Sequence, residues 1–482
     1  MSRVLEIWRS WTTQQRITFV SVVVLVAAGA AGLGAYLILR RPADVSNPNA
    51  KFVKRRAPHP KPKPKAKLTN WPEYGLDDQR TRYLPARNIH PPFHHGWDFH
   101  SPSLLEFSPV YVRGHLYLIN KAGILYGLKA RGGKELWKRN VGTLSASSPA
   151  YHRGRVFAVT LGPGQVVAVR ARDGKVLWRH LLPDKSESSP LIRGGRVFVA
   201  CQSGDVFAYD EKTGKLDWTF HSGGAVKGGV AYDHGAVFFG NYAGQVYALD
   251  SSTGQVHWQA QTQGGGFLRG GGIYSTPAIA FGRVYFGGLD GRVYSYVESS
   301  GQLAWSHTLS AGNEVYASPA VAYGHGVPPS VYIGSRDHNL YALNARTGVL
   351  RWQKDVDGPV LGAASVIGRD VYVSVIGPNV GTYGFRTSDG HEQFYSDLGE
   401  YNPAISDGRH LFLTGSSHGI NRVTQLTPRP PHLKKKAAKK KAHRRQQRHG
   451  KARQTKPAQH GARGRHATPT PTRKRHRARQ GD

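Results

Sequence analysis

Cysteine and methionine each occur once among the 482 residues. The lone Cys201 lies inside the apolar run 196–210 (RVFVACQSGDVFAYD), which excludes an intramolecular disulfide and reads as a small buried hydrophobe. No cysteine stands directly after the N-terminal apolar run, so a lipidated N-terminus is not expected. Acidic residues are almost missing from two segments dense in base. Residues 40–67 set ten Lys/Arg against Asp44 alone, and residues 428–482 set twenty against Asp482 alone. Of the formal net charge of +36, only +6 is left for residues 68–427, so the extreme basicity belongs to two appendages. The sequence also lacks the Gly-rich loop, catalytic Asp and Asp-Phe-Gly of a protein kinase, which excludes a fused kinase.

The features present begin with one long uncharged stretch. Residues 17–39 (ITFVSVVVLVAAGAAGLGAYLIL) are 23 residues bounded by Arg16 and by Arg40-Arg41, enough to cross a bilayer of ~30 Å as a helix. A cleaved signal peptide competes through the small residues Ala28-Gly29-Ala30, but the apolar run continues past a usual h-region, and a retained single-pass anchor is expected. Orientation is contested. The basic flank after the helix, counted alone, puts the globular part in the cytoplasm. A short N-terminus before one span, and a Pro/Lys run at 58–67 (PHPKPKPKAK) that reads as a stiff wall-crossing spacer, favour an extracytoplasmic globular part, which is the expectation adopted. The chain thus divides into a short segment 1–16, a transmembrane helix 17–39, a basic linker 40–67, a globular part 68–427 and a tail 428–482.

The globular part is an internal repeat of about forty residues. Six stretches end alike, from 130–137 (ARGGKELW) through 211–218 (EKTGKLDW) to 345–352 (ARTGVLRW), and a seventh, 387–394 (TSDGHEQF), has Phe in place of Trp. Upstream of each lie two alternating runs, such as 283–287 (RVYFG) and 292–296 (RVYSY), and each unit opens on Pro or a small residue. Alternation over five or six positions predicts half-buried strands, and glycine in the turns supplies φ > 0. Four such strands cannot bury both faces alone, so the units must stack radially. Trp97, Trp137, Trp178, Trp218, Trp258, Trp305 and Trp352 are expected to be structural plates between blades. The last unit stops after two strands' worth of pattern, while the stretch around Trp97 is a terminal strand without predecessors. These halves imply an all-β, eight-bladed ring closed by the Trp97 strand, with seven blades and a ragged end as the alternative.

The motifs Leu-Tyr-Ala-Leu-Asn…Thr-Gly…Trp at 340–352 and their counterparts resemble the pyrroloquinoline-quinone-repeat (PQQ-like) propellers. Residues 71–83 (WPEYGLDDQRTRY) look like that family's lead-in to the first blade. The resemblance implies a propeller over about residues 70–427 but not one activity, because the family includes quinone-dependent alcohol dehydrogenases, the propeller scaffold of the outer-membrane β-barrel assembly machinery, and sensor domains. The dehydrogenases carry a vicinal cysteine pair and a calcium site; the cysteine pair is missing here, and the acidic residues mostly occupy turns, as at Asp173, Asp290 and Asp389.

Other candidates are weak. Asn313-Glu314 reads as rim polarity, His90, His94, His95 and His100 as a surface loop, and the glycine run 264–272 as a flexible loop. The tail should be disordered, with Lys434, Lys435, Lys436, Lys439, Lys440, Lys441, Arg444 and Arg445 as a cationic block for polyanions; no aromatics are interleaved, so sequence-specific nucleic-acid binding is not expected. The sequence therefore predicts a non-catalytic, membrane-anchored binding or scaffold propeller with a protein or cell-wall partner and no cofactor or metal. An extracytoplasmic partner of a signalling protein, or a quinone-dependent oxidoreductase, are the alternatives.

Overall fold

The computed structural model describes residues 11–39, 42–54, 68–264, 271–309, 313–324, 326–377, 380–401 and 404–429. An N-terminal helix, Thr13–Leu39, is long and apolar enough to cross a membrane. The described residues from Phe93 to Pro428 form an eight-bladed propeller. Blades 1 to 7 occupy residues 110–140, 150–181, 191–221, 231–261, 278–308, 320–355 and 365–396, each an antiparallel sheet whose four strands follow chain order from the axis outward. Blade 8 takes three strands from residues 405–428 and its outer strand, Phe93–Ser101, from the other end of the repeat array. That strand seals the ring, in antiparallel register from Phe93 opposite Pro428 to Ser101 opposite Asn421. The closure expected from Trp97 is the one observed, and it removes the open edge that a linear array would expose.

The repeat motif can be read atom by atom in blade 4. Its second strand, Ala236–Gly240, is fully buried, and Val246 to Leu249 of the third strand are buried beside it. At the following turn Asp250 Oδ1 accepts the backbone N–H groups of Ser252 and Thr253 at 2.9 Å each, while Thr253 Oγ1 donates to the same oxygen. Gly254 then adopts φ +75°, and a Cβ there would lie 2.8 Å from the Trp218 ring of blade 3. The turn glycine is thus fixed twice, by a left-handed backbone and by the indole stacked on it. Trp218 Nε1 completes the junction by donating to Ser251 O at 3.2 Å. The same bond joins Trp97 to Ala130, Trp137 to Ala171, Trp178 to Glu211, Trp258 to Glu298, Trp305 to Ala345 and Trp352 to Thr387. Only the junction from blade 7 to blade 8 has a ring without a donor, Phe394, set edge-on to Phe93 at 5.4 Å.

The basic linker does not behave as a spacer over its described residues. Residues 43–53 lie along the outer edge of blade 5. Val45 and Ser306 exchange hydrogen bonds, Ser46 bridges Trp305 in antiparallel register, and Asn47 N donates to Ala304 O at 2.8 Å. Two fully buried arginines of blade 5 explain why the segment stays there. Arg292 donates to the carbonyls of Pro42 and Ala43 and to Asp44 Oδ1. Arg283 donates to the carbonyls of Ala50 and Lys51. Buried guanidinium groups need such acceptors, and the segment supplies most of them. Phe52 stacks on Phe281 at 4.8 Å, and Val53 N donates to Phe281 O. Downstream, Thr69 N is held by Asp407 O of blade 8. The Pro/Lys run 58–67 lies outside the described residues, yet both flanks are bound to the propeller.

Candidate functional site at the propeller axis

In blades 1 to 7 the hairpin between the inner and second strands and the turn before the outer strand share one face. The opposite face carries the middle hairpin and the connection to the next blade. A single segment covers the axis toward the first face. Starting from blade 8, Trp71 exchanges two backbone hydrogen bonds with Tyr111 of blade 1, and Pro72 O accepts from Tyr151 of blade 2. Asp78 reaches blade 3 through Arg193 at 3.2 Å and blade 4 through Tyr232 N. Gln79 O, Thr81 O and Arg82 O accept from Ile279, Val321 and Val366 of blades 5, 6 and 7. Tyr83-Leu84 then joins the inner strand of blade 7 in parallel. Residues 69–84 therefore touch all eight blades in order. The sequence pattern suggested a lead-in to the first blade; the stretch is a plug. Left-handed conformations at Leu76, Arg80 and Arg82 bend it round the ring.

The plug carries buried charge. Arg80 donates to the carbonyls of Tyr74, Pro190 and Val230 and lies 3.4 Å from Glu73 Oε2. Arg82 donates to Arg80 O and Pro319 O, and its guanidinium stacks over Tyr74 at 4.8 Å. Burial raises the Glu73 carboxyl to about 8, although Arg80 opposes the shift.

The other mouth is open and chemically distinct. The residue three positions before the Pro, or its equivalent, that opens each blade supplies much of its rim. That position holds Glu187, Lys227, Tyr274, Tyr316, Leu361 and Tyr401 in blades 3 to 8, all lining one axial cavity whose floor is Tyr74. Blade 1 has Glu106 there, and Phe107 lines the cavity. Glu187 organises the centre: it accepts from Tyr274 Oη at 2.5 Å and Gln202 Nε2 at 2.8 Å, and pairs with Lys227 at 3.4 Å. The Lys227 ammonium also sits over the rings of Tyr242 and Tyr274, at 5.3 and 5.8 Å. Burial, then the Glu187 charge, pushes the Tyr274 hydroxyl far above the ordinary tyrosine range. Burial, with Glu187 adding to it against the opposing Lys121, raises Glu106; burial and then Glu106 raise Glu400. Lys227 is thus already occupied by a carboxylate and two ring faces. The rim offers tyrosines and carboxyl groups, the mixture of aromatic contact and hydrogen bonding found at protein interfaces.

Sequence pattern did not reveal these residues, because they vary from blade to blade while the repeat position stays constant. Of the candidates it did suggest, the seven tryptophans lie at the blade junctions, away from this mouth. Glu314 pairs with Arg336 at 2.8 Å. His94, His95 and His100 belong to the closing strand rather than a loop, and His95 approaches Asp98 at 3.1 Å. Cys201 is buried. The tail block Lys434–Arg445 and residues 265–270 of the glycine run lie outside the described residues. Among the described residues one unforeseen group, Asp233, His234 and Glu298, brings three donor atoms within 4.8 Å of one another, beside a cleft of about 660 Å³. It joins blade 4 to blade 5, and a similar His152–Glu211 approach, 2.9 Å, joins blades 2 and 3.

A family model described as outer membrane protein assembly factor BamB matches residues 121–261 and 202–429. The chain belongs to the BamB family. No curated protein sequence matches it. Among solved structures, BamB from Moraxella catarrhalis is 18% identical with a TM-score of 0.57, covering 70% of this chain and 98% of that one. The quinohemoprotein alcohol dehydrogenase ADHIIG from Pseudomonas putida HK5 is 14% identical with a TM-score of 0.64, covering 76% and 82%. That from Comamonas testosteroni is 14% identical with a TM-score of 0.62, covering 75% and 81%. At these identities the likeness is one of fold. The axis of this BamB-family chain does not fit a quinone cofactor. The cavity over Tyr74 is about 40 Å³, against ~300–1,000 Å³ for ordinary small-molecule sites, and Lys227 and Tyr274 both line it. The one cysteine, Cys201, is buried within blade 3 and cannot form a vicinal pair.

Proposed function

We propose that this protein is a membrane-anchored, non-catalytic binding module of the cell envelope, and that the open mouth and the loops around it seat a protein partner. The observation that carries the reading is the asymmetry of the axis. One side is sealed by a segment bonded to every blade, and the other presents a ring of tyrosines and carboxyl groups around an internally neutralised lysine. At the axis, a cavity of about 40 Å³ leaves no room for a substrate or cofactor, whereas a rim of this composition suits a polypeptide. The family description, an outer membrane protein assembly factor, supports a scaffold of the envelope. It also supports an extracytoplasmic propeller held by Thr13–Leu39. The tail block from Lys434 to Arg445 adds contact with polyanions through counterion release.

The test is site-specific photo-crosslinking in native membranes, with the reactive amino acid at Tyr316 on the open mouth or at Arg153 on an exposed hairpin of the plugged face. One discrete adduct from Tyr316 and none from Arg153 is expected. Adducts from Arg153 alone, or equally from both, would contradict the reading. Purified protein incubated with the quinone and Ca²⁺ is expected to bind no chromophore; a bound chromophore with alcohol-dependent dye reduction would replace the scaffold reading by an oxidoreductase.

A further inference from the structure

We infer that the open-mouth face, and not the plugged face, is turned toward the bilayer, with the blade 5 rim against the lipid headgroups. The inference rests on the reading of the N-terminal helix as a retained membrane span, and it comes from where the docked segment meets the propeller.

The helix ends at Leu39, and the carbonyl of Pro42 is already bonded to Arg292. Three residue steps at 3.3–3.6 Å each reach about 11 Å at most. Arg292 begins the third strand of blade 5 and Thr308 ends its outer strand, and both bind Asp44. Those strand ends belong to the face of the middle hairpin and the blade-to-blade connection, which is the face of the open mouth. From there the segment descends antiparallel to the outer strand, past Trp305 and Ala304, and reaches the opposite face only at Val53 beside Phe281. Turning the plugged face to the membrane would require peeling residues 42–53 off blade 5 and breaking the bonds that Arg283 and Arg292 make to Pro42, Ala43, Asp44, Ala50 and Lys51. Arg40 and Arg41 directly follow the apolar run in sequence, and their side chains suit a headgroup layer. The partner of this rim is therefore the lipid surface, and whatever the mouth binds is met next to it.

Cys201 is the only cysteine and is buried, so single reporter cysteines can be introduced cleanly. Asn313→Cys places a donor dye on the open face of blade 5, and Ser300→Cys places one on its plugged face; both positions are exposed. Energy transfer to headgroup-labelled acceptor lipids is measured on the full-length protein in liposomes. Higher transfer efficiency from position 313 than from position 300 is expected. Equal or reversed efficiencies from an intact, bilayer-bound protein would overturn the orientation while leaving the anchor. Loss of the helix by cleavage, seen in the intact mass of the purified protein, would sink the anchor reading and the orientation with it.

Discussion

Asp44 and Arg292 lie 248 residues apart in sequence and 3.1 Å apart in the structure. The arginine is buried in blade 5, and the aspartate comes from the segment that trails the N-terminal helix. Asp44 also accepts from the backbone and hydroxyl of Thr308, so one half-exposed carboxylate fastens two strand ends of the blade.

Asp44→Ala should therefore release the segment more than it destabilises the ring. Losing charge-assisted hydrogen bonds at a half-exposed site costs about 1–2 kcal/mol, small for a closed propeller and large for a docked strand. Trypsin should cut at Lys51 and Lys54 several-fold faster in the variant, with the unfolding midpoint little changed. Identical cleavage rates would show that the ion pair does not hold the segment.

The blade junctions give a graded series. Trp178 is buried, donates to Glu211 O at 3.2 Å, and lies against Gly214 of the next blade. Trp178→Ala should cost about 3–5 kcal/mol through the cavity it leaves, and Trp178→Phe about 1–2 kcal/mol through the orphaned carbonyl. Gly214→Ala should also destabilise, because its φ is +74° and its Cβ would meet the Trp178 ring at 2.7 Å. Urea unfolding of the three variants checks the order; a Trp178→Phe protein as unstable as Trp178→Ala would refute the division between plate and hydrogen bond.

Glu73 makes a pH prediction. Its carboxyl is raised from 4.5 to about 8, mainly by burial, so the folded protein binds the proton more tightly than the unfolded chain. Stability from this group is full below about pH 4.5 and falls as pH rises toward 8, by at most about 1.4 kcal/mol per pH unit. Glu73→Gln should flatten that slope between pH 5 and 8. Parallel stability profiles for the variant and the native protein would deny the plug carboxyl this role.

Deleting residues 430–482 should abolish salt-sensitive binding to polyanions. Each cation of the Lys434–Arg445 block that pairs with a phosphate-like charge contributes ~0.7–0.9 to the slope of log K against log salt. Retention of the truncated protein on an anionic matrix, with the same salt profile, would show that the tail is not the polyanion contact.

The ring was legible because its signal repeats. Each Thr-Gly…Trp turn predicts its neighbours, and the unmatched Trp97 strand points to the closure. The N-terminal connection was not legible, for physical reasons. Residues 42–54 have no alternation, and the arginines that bind them, Arg283 and Arg292, read in sequence as ordinary strand residues. The plug bends through left-handed arginines, at positions where glycine is the usual signal. The mouth was hidden by its variability, since Glu187, Lys227 and Tyr274 share a repeat position but no chemistry.

Both functional readings depend on residues 42–54 and 68–84 being part of the propeller: the plug makes the mouth one-sided, and the docked segment fixes the face next to the helix. Hydrogen exchange of the full-length protein tests this directly. The amides of Asn47 and Val53 donate to blade 5, that of Trp71 donates to blade 1, and that of Arg82 is held within the plug by Gly75 O. The account predicts that all four exchange orders of magnitude more slowly than a free chain. Exchange of residues 43–53 and 69–84 at free-chain rates, with the blades protected, would contradict it.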